Sequence, residues 1–250
     1  MNNIIVILKR EWWSYRKQLI AHLFCLIFIP VLIFMFIGLP LYKVIPSVNS
    51  LNYIHWITPG IWIVSTGLVA FINGFSSMRK LRFSSGVLGI YLKSPVSVWD
   101  ILIGISLWAF VLGFVQLIIA FIVIGVVNHQ FYSIGSDLLL LLQILPLVVF
   151  MSVLGTILGC WVKGLQSQTI ISIIVFLIFS LGMGCLIPLQ FYPQTLSDIM
   201  RSIPFVQIIE GSQNLIRLEN GSIFGAVVTL LLSAIVFVLN GIFSIKLFRK

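Results

Sequence analysis

Charge is what this sequence has least of. Only 8% of its 250 residues are Asp, Glu, Lys or Arg, while 60% are hydrophobic and the mean hydropathy is +1.17. A soluble globule of that composition could not cover itself with polar surface, so the solvent around it must be a bilayer. Cysteine is also sparse: Cys25, Cys160 and Cys185 lie inside apolar runs with no short spacing between any two. That pattern offers neither a disulfide framework nor a zinc site and leaves them as packing residues. No stretch reads G-x-x-x-x-G-K-[ST], so a P-loop for nucleotide phosphates is missing. His22, His55 and His129 stand far apart, near the ends of apolar runs, without metal-ligand or catalytic spacing. A Ser-His hydrolase or an intramembrane aspartyl enzyme is likewise unsupported. No Asp or Glu falls in the middle of a run. Ion-coupled carriers keep ionisable groups at membrane depth despite a cost of several kcal/mol, so their absence points to an external energy source.

What the chain does have is six long apolar runs. Ile20 to Leu41 is 22 residues without a charge beyond the neutral His22, about 33 Å as a helix and enough to cross. Pro30 and Gly38 are tolerated inside it because neighbouring helices can satisfy freed backbone groups. The second run extends from about Ile57 to Phe75, opened by Thr58, Pro59 and Gly60. The third, Ile101 to Val127, is slightly long for a bilayer and should tilt or protrude. The fourth, Leu138 to Val162, contains Pro146 and sets Gly155 and Gly159 four apart, small residues whose expected use is close packing within one bundle rather than dimerisation. A fifth goes from Thr169 to about Leu189, ending in Gly182, Gly184 and Pro188, and a sixth from Ile223 to about Leu247. Tyr42–Trp56 reads as a short exposed loop, Asn128–Asp137 as a polar turn and Lys163–Gln168 as a tight turn.

Three segments are neither spans nor ordinary loops. Residues 1–18 alternate Ile4, Ile5, Leu8, Trp12, Trp13 and Tyr15 with Lys9, Arg10, Arg16 and Lys17, the pattern of a helix lying in the membrane interface among anionic lipids. No short apolar core with a small-residue cleavage site follows, so this is not read as a signal peptide. Residues 76–98 combine Arg79, Lys80, Arg82 and Lys93 with Met78, Leu81, Leu88 and Leu92 at helical spacing. The charges keep the segment out of hydrocarbon, and the apolar stripe gives it a surface to dock on lipid or protein. Pro95 ends the helix and disfavours helical geometry at Ser94, and Ser97 is placed to cap the next one. Residues 190–222 are too apolar to be freely solvated, while Pro193, Pro204, Asp198, Arg201 and Glu210 forbid one continuous crossing. Two short helices dipping back into the interface fit them best.

Six spans place residues 1–18, 76–98, the turn at Lys163 and the C-terminus on one side. That side holds 12 of the 15 basic residues but only Glu11 and Asp100 among the acidic ones. The other side has Lys43, Arg201 and Arg217 against Asp137, Asp198, Glu210 and Glu219. Excess Lys and Arg marks the cytoplasmic face, so both termini and the central loop are expected there. The same rule explains the net charge of +9 without nucleic acid as a partner.

The central loop resembles that of membrane subunits of type-2 ATP-binding-cassette (ABC) exporters. Their pattern is Gly-Thr-Leu-Glu, apolar residues, Thr-Pro-Val-Ser, and an acidic residue before Ile-Leu-x-Gly. The matching positions are Gly86, Leu88, Leu92, Ser94, Pro95, Val96, Ser97, Asp100, Ile101, Leu102 and Gly104, with Val87 standing where Thr is usual and Gly89 where Glu is usual. Residues 1–18, the Pro59-Gly60 opening of the second span, and the series Tyr192-Pro193, Pro204 and Glu210 before the last span are similar too.

The resemblance implies an all-α membrane protein with a single permease domain over 1–250, built as an N-terminal interfacial helix, six transmembrane helices, a cytoplasmic coupling helix between spans 2 and 3, and re-entrant helices between spans 5 and 6. It implies a complex of two permeases, identical or homologous, with two cytoplasmic ABC ATPases in a bacterial-type plasma membrane. ATP and Mg would belong to the partner, and this chain would bind no cofactor and catalyse nothing. Met78, Leu81, Arg82, Gly86, Leu88, Leu92, Ser94 and Pro95 would dock the ATPase; Trp12, Trp13, Arg16 and Lys17 would hold the interfacial helix to lipid; Tyr192, Pro193, Pro204 and Glu210 would shape the external segment. The cargo expected is amphipathic, drug-like or lipid-like. Lipid-linked polysaccharide export and a non-transporting assembly role are the alternatives.

Overall fold

A computed structural model describes residues 3–48, 51–84, 86–93, 96–128, 134–215 and 223–248. Helix α1 (Asn3–Arg16) lies ahead of the first span, which is built from α2 (Leu19–Ile33), a π-helical turn over Phe34–Gly38, and α3 (Leu39–Val44). Two-residue strands Ser47–Val48 and Leu51–Asn52 pair antiparallel and lead into α4 (Tyr53–Arg79). Asn52 caps α4, its Oδ1 accepting from the Ile54 amide at 3.0 Å. A π-helical turn, Lys80–Ser84, prolongs α4, and α5 (Val87–Lys93) precedes α6 (Val98–Asn128) and α7 (Ile134–Trp161). After α8 (Leu165–Leu177) and a π-helical turn, Ile178–Gly182, come a 3₁₀ turn at Leu189–Phe191, α9 (Gln194–Arg201), α10 (Pro204–Leu215) and α11 (Ile223–Phe248). Among the described residues, six helices are long and apolar enough to cross a membrane: Leu19–Val44, Tyr53–Phe83, Val98–Asn128, Asp137–Trp161, Leu165–Gly182 and Phe224–Ser244.

The second and fifth spans differ most from those read off the sequence, each at both ends. The second span is 31 residues rather than 19, because Tyr53–Trp56 is helix, not loop. Tyr53 and Trp56 are buried, stacked at 5.8 Å, and belong to the core. At its other end the helix runs on through the residues assigned to the central loop. The fifth span begins at Leu165 rather than Thr169 and stops at Gly182 rather than Leu189. Gly184 has φ +80°, which an L residue rarely adopts, so the helix cannot pass through it. At 18 residues this span is about 27 Å long, a little short of the hydrocarbon thickness.

Helix α4 is the axis of the bundle, wrapped by α6 and α7. Here 72% of the most apolar stretch is buried inside the chain, against 22%, 17% and 22% for spans 1, 5 and 6. Lipid tails are as apolar as Leu, so close approach rather than hydrophobicity must drive this packing. A Cβ on Gly155 would stand 2.2 Å from the Phe71 carbonyl oxygen, and one on Gly159 2.7 Å from the Phe75 oxygen. Both glycines therefore join α7 to α4 within the chain, the internal use expected for them. Hydrogen bonds tie α6 to its other neighbours: Ser106 Oγ donates to Thr156 Oγ1 on α7 at 3.1 Å, and Gln116 Nε2 to the Leu26 carbonyl on α2 at 3.0 Å. Cys160 and Cys185 are buried and Cys25 faces outward, all as free thiols.

Candidate functional site

At the end of the bundle that carries the N-terminus, α1 is fastened to the spans from both ends. Asn3 Nδ2 donates to Asp100 Oδ2 at 3.0 Å, and Ser77 Oγ donates to Glu11 Oε2 at 2.9 Å. Between them Ile7 is fully buried, 2.8 Å from where a Cβ on Gly104 would lie. Trp12 and Tyr15 meet the Trp108 ring edge-on, and Tyr15 stacks on His22 at 4.1 Å. Burial raises the Tyr15 phenol above its ordinary pKa. On the outer face Trp13, Arg16 and Lys17 are exposed, and Trp12 remains 45% exposed.

The central segment divides in two. Met78 and Leu81, expected to dock a partner, are fully buried against Ile7, Ile101, Leu102, Ile105 and Cys160. They are core residues. The reason is the length of α4: its last turns project beyond the span, and their apolar side is covered by α1 and α6 before any partner could reach it. Arg79 is buried as well, its Nε donating to Gln168 Oε1 on α8. Arg82 is half-buried, its guanidinium 4.7 Å from the Phe83 ring. Gly86, at φ +62° with nothing near a would-be Cβ, turns the chain into α5. Leu88 packs with Val87 and Tyr91 on the same cluster and is only partly accessible. The outward face of α5 is Gly89, Ile90 and Lys93, with Ile90 67% exposed. Ile90 does not share the period of Leu88 and Leu92, so the sequence stripe passed over it; its spacing from Gly86 and Lys93 was the available signal. The Leu92 side chain and all of Ser94 and Pro95 lie outside the described residues. Ser97 caps α6 as expected: its Oγ accepts from the Asp100 amide at 3.0 Å, and Asp100 Oδ2 accepts from the Ser97 amide at 3.1 Å.

At the opposite end, two short helices, α9 and α10, lie between the last spans. The break after span 5 is held by three side chains, with Tyr53 Oη donating to the Leu186 carbonyl at 2.6 Å, Tyr192 Oη to Leu181 at 2.7 Å and Gln213 Nε2 to Gly184 at 3.1 Å. Gly60 admits this backbone, since a Cβ there would stand 1.9 Å from the Cys185 oxygen. Burial raises both the Tyr192 phenol and the Cys185 thiol. Pro193 is the N-cap of α9 and Pro204 opens α10, where a missing amide hydrogen costs nothing. Phe205 stacks on Phe150 at 4.9 Å, and Arg201 Nε donates to Glu210 Oε1 at 3.2 Å. Glu210 and Arg201 border a cavity of about 230 Å³ that also touches Trp56 and Gln213.

No group of three or more His, Cys, Asp or Glu that could hold a metal occurs among the described residues. The short helix α5 lies outside the bundle, packed on a cluster shared by α1, α4 and α6. A family model described as ABC-2 type transporter matches residues 2–217, which run from α1 through five of the six spans to α10. No curated protein and no solved structure matches. With six spans, a flanking N-terminal helix and that match over most of its length, the chain belongs to the ABC-2 type transporter family, as a membrane permease component of an ABC transporter, a kind of subunit that works with an ABC ATPase.

Proposed function

We propose that this permease is half of an ATP-driven exporter that moves an amphipathic, drug-like or lipid-like molecule out of the cytoplasm. Both termini and α5 face the cytoplasm of a bacterial-type cell, and ATP with Mg is bound by two separate ATPase subunits. The observation that carries this reading is the placement of α5. Its inner face, Val87, Leu88 and Tyr91, packs against the cluster of Ile7, Met78, Leu81, Ile101 and Leu102, while Gly89, Ile90 and Lys93 face outward. A push on the outward face would reach α1, α4 and α6 together, because these side chains are close-packed and transmit displacement. In this account Met78 and Leu81 relay force and do not touch the partner. A stable ATPase contact needs about 1,000 Å² of buried surface, more than α5 alone supplies, so neighbouring basic residues such as Lys93 and Lys163 join it. Residues 1–18 serve as the interfacial helix, 76–98 as the coupling region and 190–222 as the external segment.

A second permease, identical or homologous, completes the passage. The outward faces of span 1 and, beyond Thr169, of span 5 are almost wholly apolar, with Phe24, Phe28, Ile170, Ile173 and Ile174 exposed. A passage lined in that way suits an amphiphile better than an ion.

The test is copurification in mild detergent with the cognate ATPase. Ile90→Asp should reduce ATPase recovery about tenfold or more with the bundle still inserted, since a charge buried without a partner costs several kcal/mol. Unchanged recovery would remove α5 from the contact. A tag placed after Lys163 should be protected in intact cells and one after His129 reached from outside; the reverse would overturn the orientation.

A further inference from the structure

A second cavity, of about 300 Å³, lies between α1, the first turn of α2, the end of α4 and α6. Arg10, Lys17 and Lys80 bring three positive charges to it, with His22, Asn73 and Trp108 on its walls. Its one acid is already committed: Glu11 accepts from Ser77 and lies 3.5 Å from Arg10 Nη2. Arg10 Nη1 is buried with no hydrogen-bond acceptor among the described residues, and its guanidinium also lies 5.7 Å from the Tyr91 ring. Lys17 and Lys80 have no acidic partner within 4 Å among them either. Basic residues at this end of a bundle are ordinarily spread over a solvated surface. Here they converge on a concavity large enough for a small ligand, with more positive charge than its one carboxylate offsets.

We propose that this cavity binds the phosphate group of an anionic amphiphile, with Arg10, Lys17 and Lys80 neutralising the phosphate oxygens. Guanidinium and ammonium groups make short charge-assisted hydrogen bonds to phosphate, and Asn73 supplies a neutral polar contact beside them. The walls fit a headgroup with chains attached. One or two turns further into the membrane, α2 exposes Leu23 and Ile27 and α6 exposes Val111 and Val115, so acyl chains would meet apolar side chains directly beyond the cavity. Trp12 and Trp108 border the boundary between the two zones, the depth that indole rings favour. An occupant would tie α1, span 1 and span 2 together at one point. This inference rests on the spans and the cavity, and not on the export reading.

The experiment uses the purified full chain in detergent and measures binding of phosphatidylglycerol, phosphatidylcholine and soluble glycerol 3-phosphate by native mass spectrometry. The double variant Lys17→Gln, Lys80→Gln changes only exposed lysines and should leave thermal melting in place. It should lower phosphatidylglycerol affinity about thirtyfold, the effect of two lysines near an anionic surface. Lys17→Arg with Lys80→Arg should restore binding, and Lys43→Gln with Lys163→Gln, outside the cavity, should not alter it. Tighter binding of phosphatidylglycerol than of glycerol 3-phosphate identifies a membrane lipid as the source; equal binding of both, still lost in the double variant, identifies a soluble phosphate ester. Equal retention of phosphatidylglycerol by wild type and the double variant would overturn the site, as would equal binding of phosphatidylcholine. Ile90→Asp should leave all of these affinities unchanged, so failure of ATPase coupling and failure of this site are told apart.

Discussion

Spans 2 and 5 are both long enough and apolar enough to cross, yet they hold opposite places in the molecule: 72% of the first is buried inside the chain and 17% of the second. Span 2 is the less apolar of the two. In water the more hydrophobic helix would go inside, but in a bilayer both environments are apolar and that preference vanishes. What sorts the helices is the ability to approach closely. Helix α4 carries Gly60, Gly67 and Gly74 along its length, and α7 meets it with Gly155 and Gly159. The fifth span has no glycine until Gly182, and its Ile170, Ile173, Ile174 and Leu177 remain available to lipid or to another subunit.

The sharpest way to break this contrast is Gly155→Leu. With Phe71 backbone already within 2.2 Å of a would-be Cβ, the side chain would force α7 away from α4, at a cost of about 3 kcal/mol or more. Loss of a monodisperse peak on gel filtration in detergent is the expected result. Tyr53→Phe comes next. It leaves the buried Leu186 carbonyl without the 2.6 Å hydrogen bond that fixes the break after span 5, an effect of about 1–3 kcal/mol readable in thermal melting. Thr156→Val removes the acceptor for Ser106 between α6 and α7, and about 0.6 kcal/mol is expected, the usual worth of such a bond in a membrane protein. Smallest is Ile174→Ala on the outer face of span 5, which should change melting by less than about 0.5 kcal/mol. Should it lower self-association instead, a second permease sits on that face; a large loss of folding stability would erase the distinction between central and outer spans.

The basic elbow shows how far a sequence pattern reaches. In the sequence Met78, Leu81, Leu88 and Leu92 read as one helical stripe, but the chain turns at Gly86 between α4 and α5, and a stripe has no label saying what covers it. Met78 and Leu81 turn inward because α4 outlasts the bilayer and α1 folds across its end, an arrangement set by Asn3, Ile7 and Glu11 some seventy residues away. Ile90, off that stripe, is the large apolar residue of α5 left outside among those described. Local chemistry fared better: Ser97 and Asp100 form their cap from neighbours three apart, and Pro204 and Pro193 start helices, because each needs only its own segment. The cavity around Arg10, Lys17 and Lys80 gathers three segments and could not be read from any one of them.

Composition and the spacing of charges determined that this chain lives in a bilayer with six crossings and a basic side, since burying a charge in hydrocarbon or leaving twenty apolar residues in water is too costly for the fold to decide otherwise. Which helices lie at the centre, which leucines face the core, and where the lysines and Arg10 converge were decided only by tertiary packing, because those choices turn on ångström-scale contacts between distant segments that hydropathy treats as equivalent.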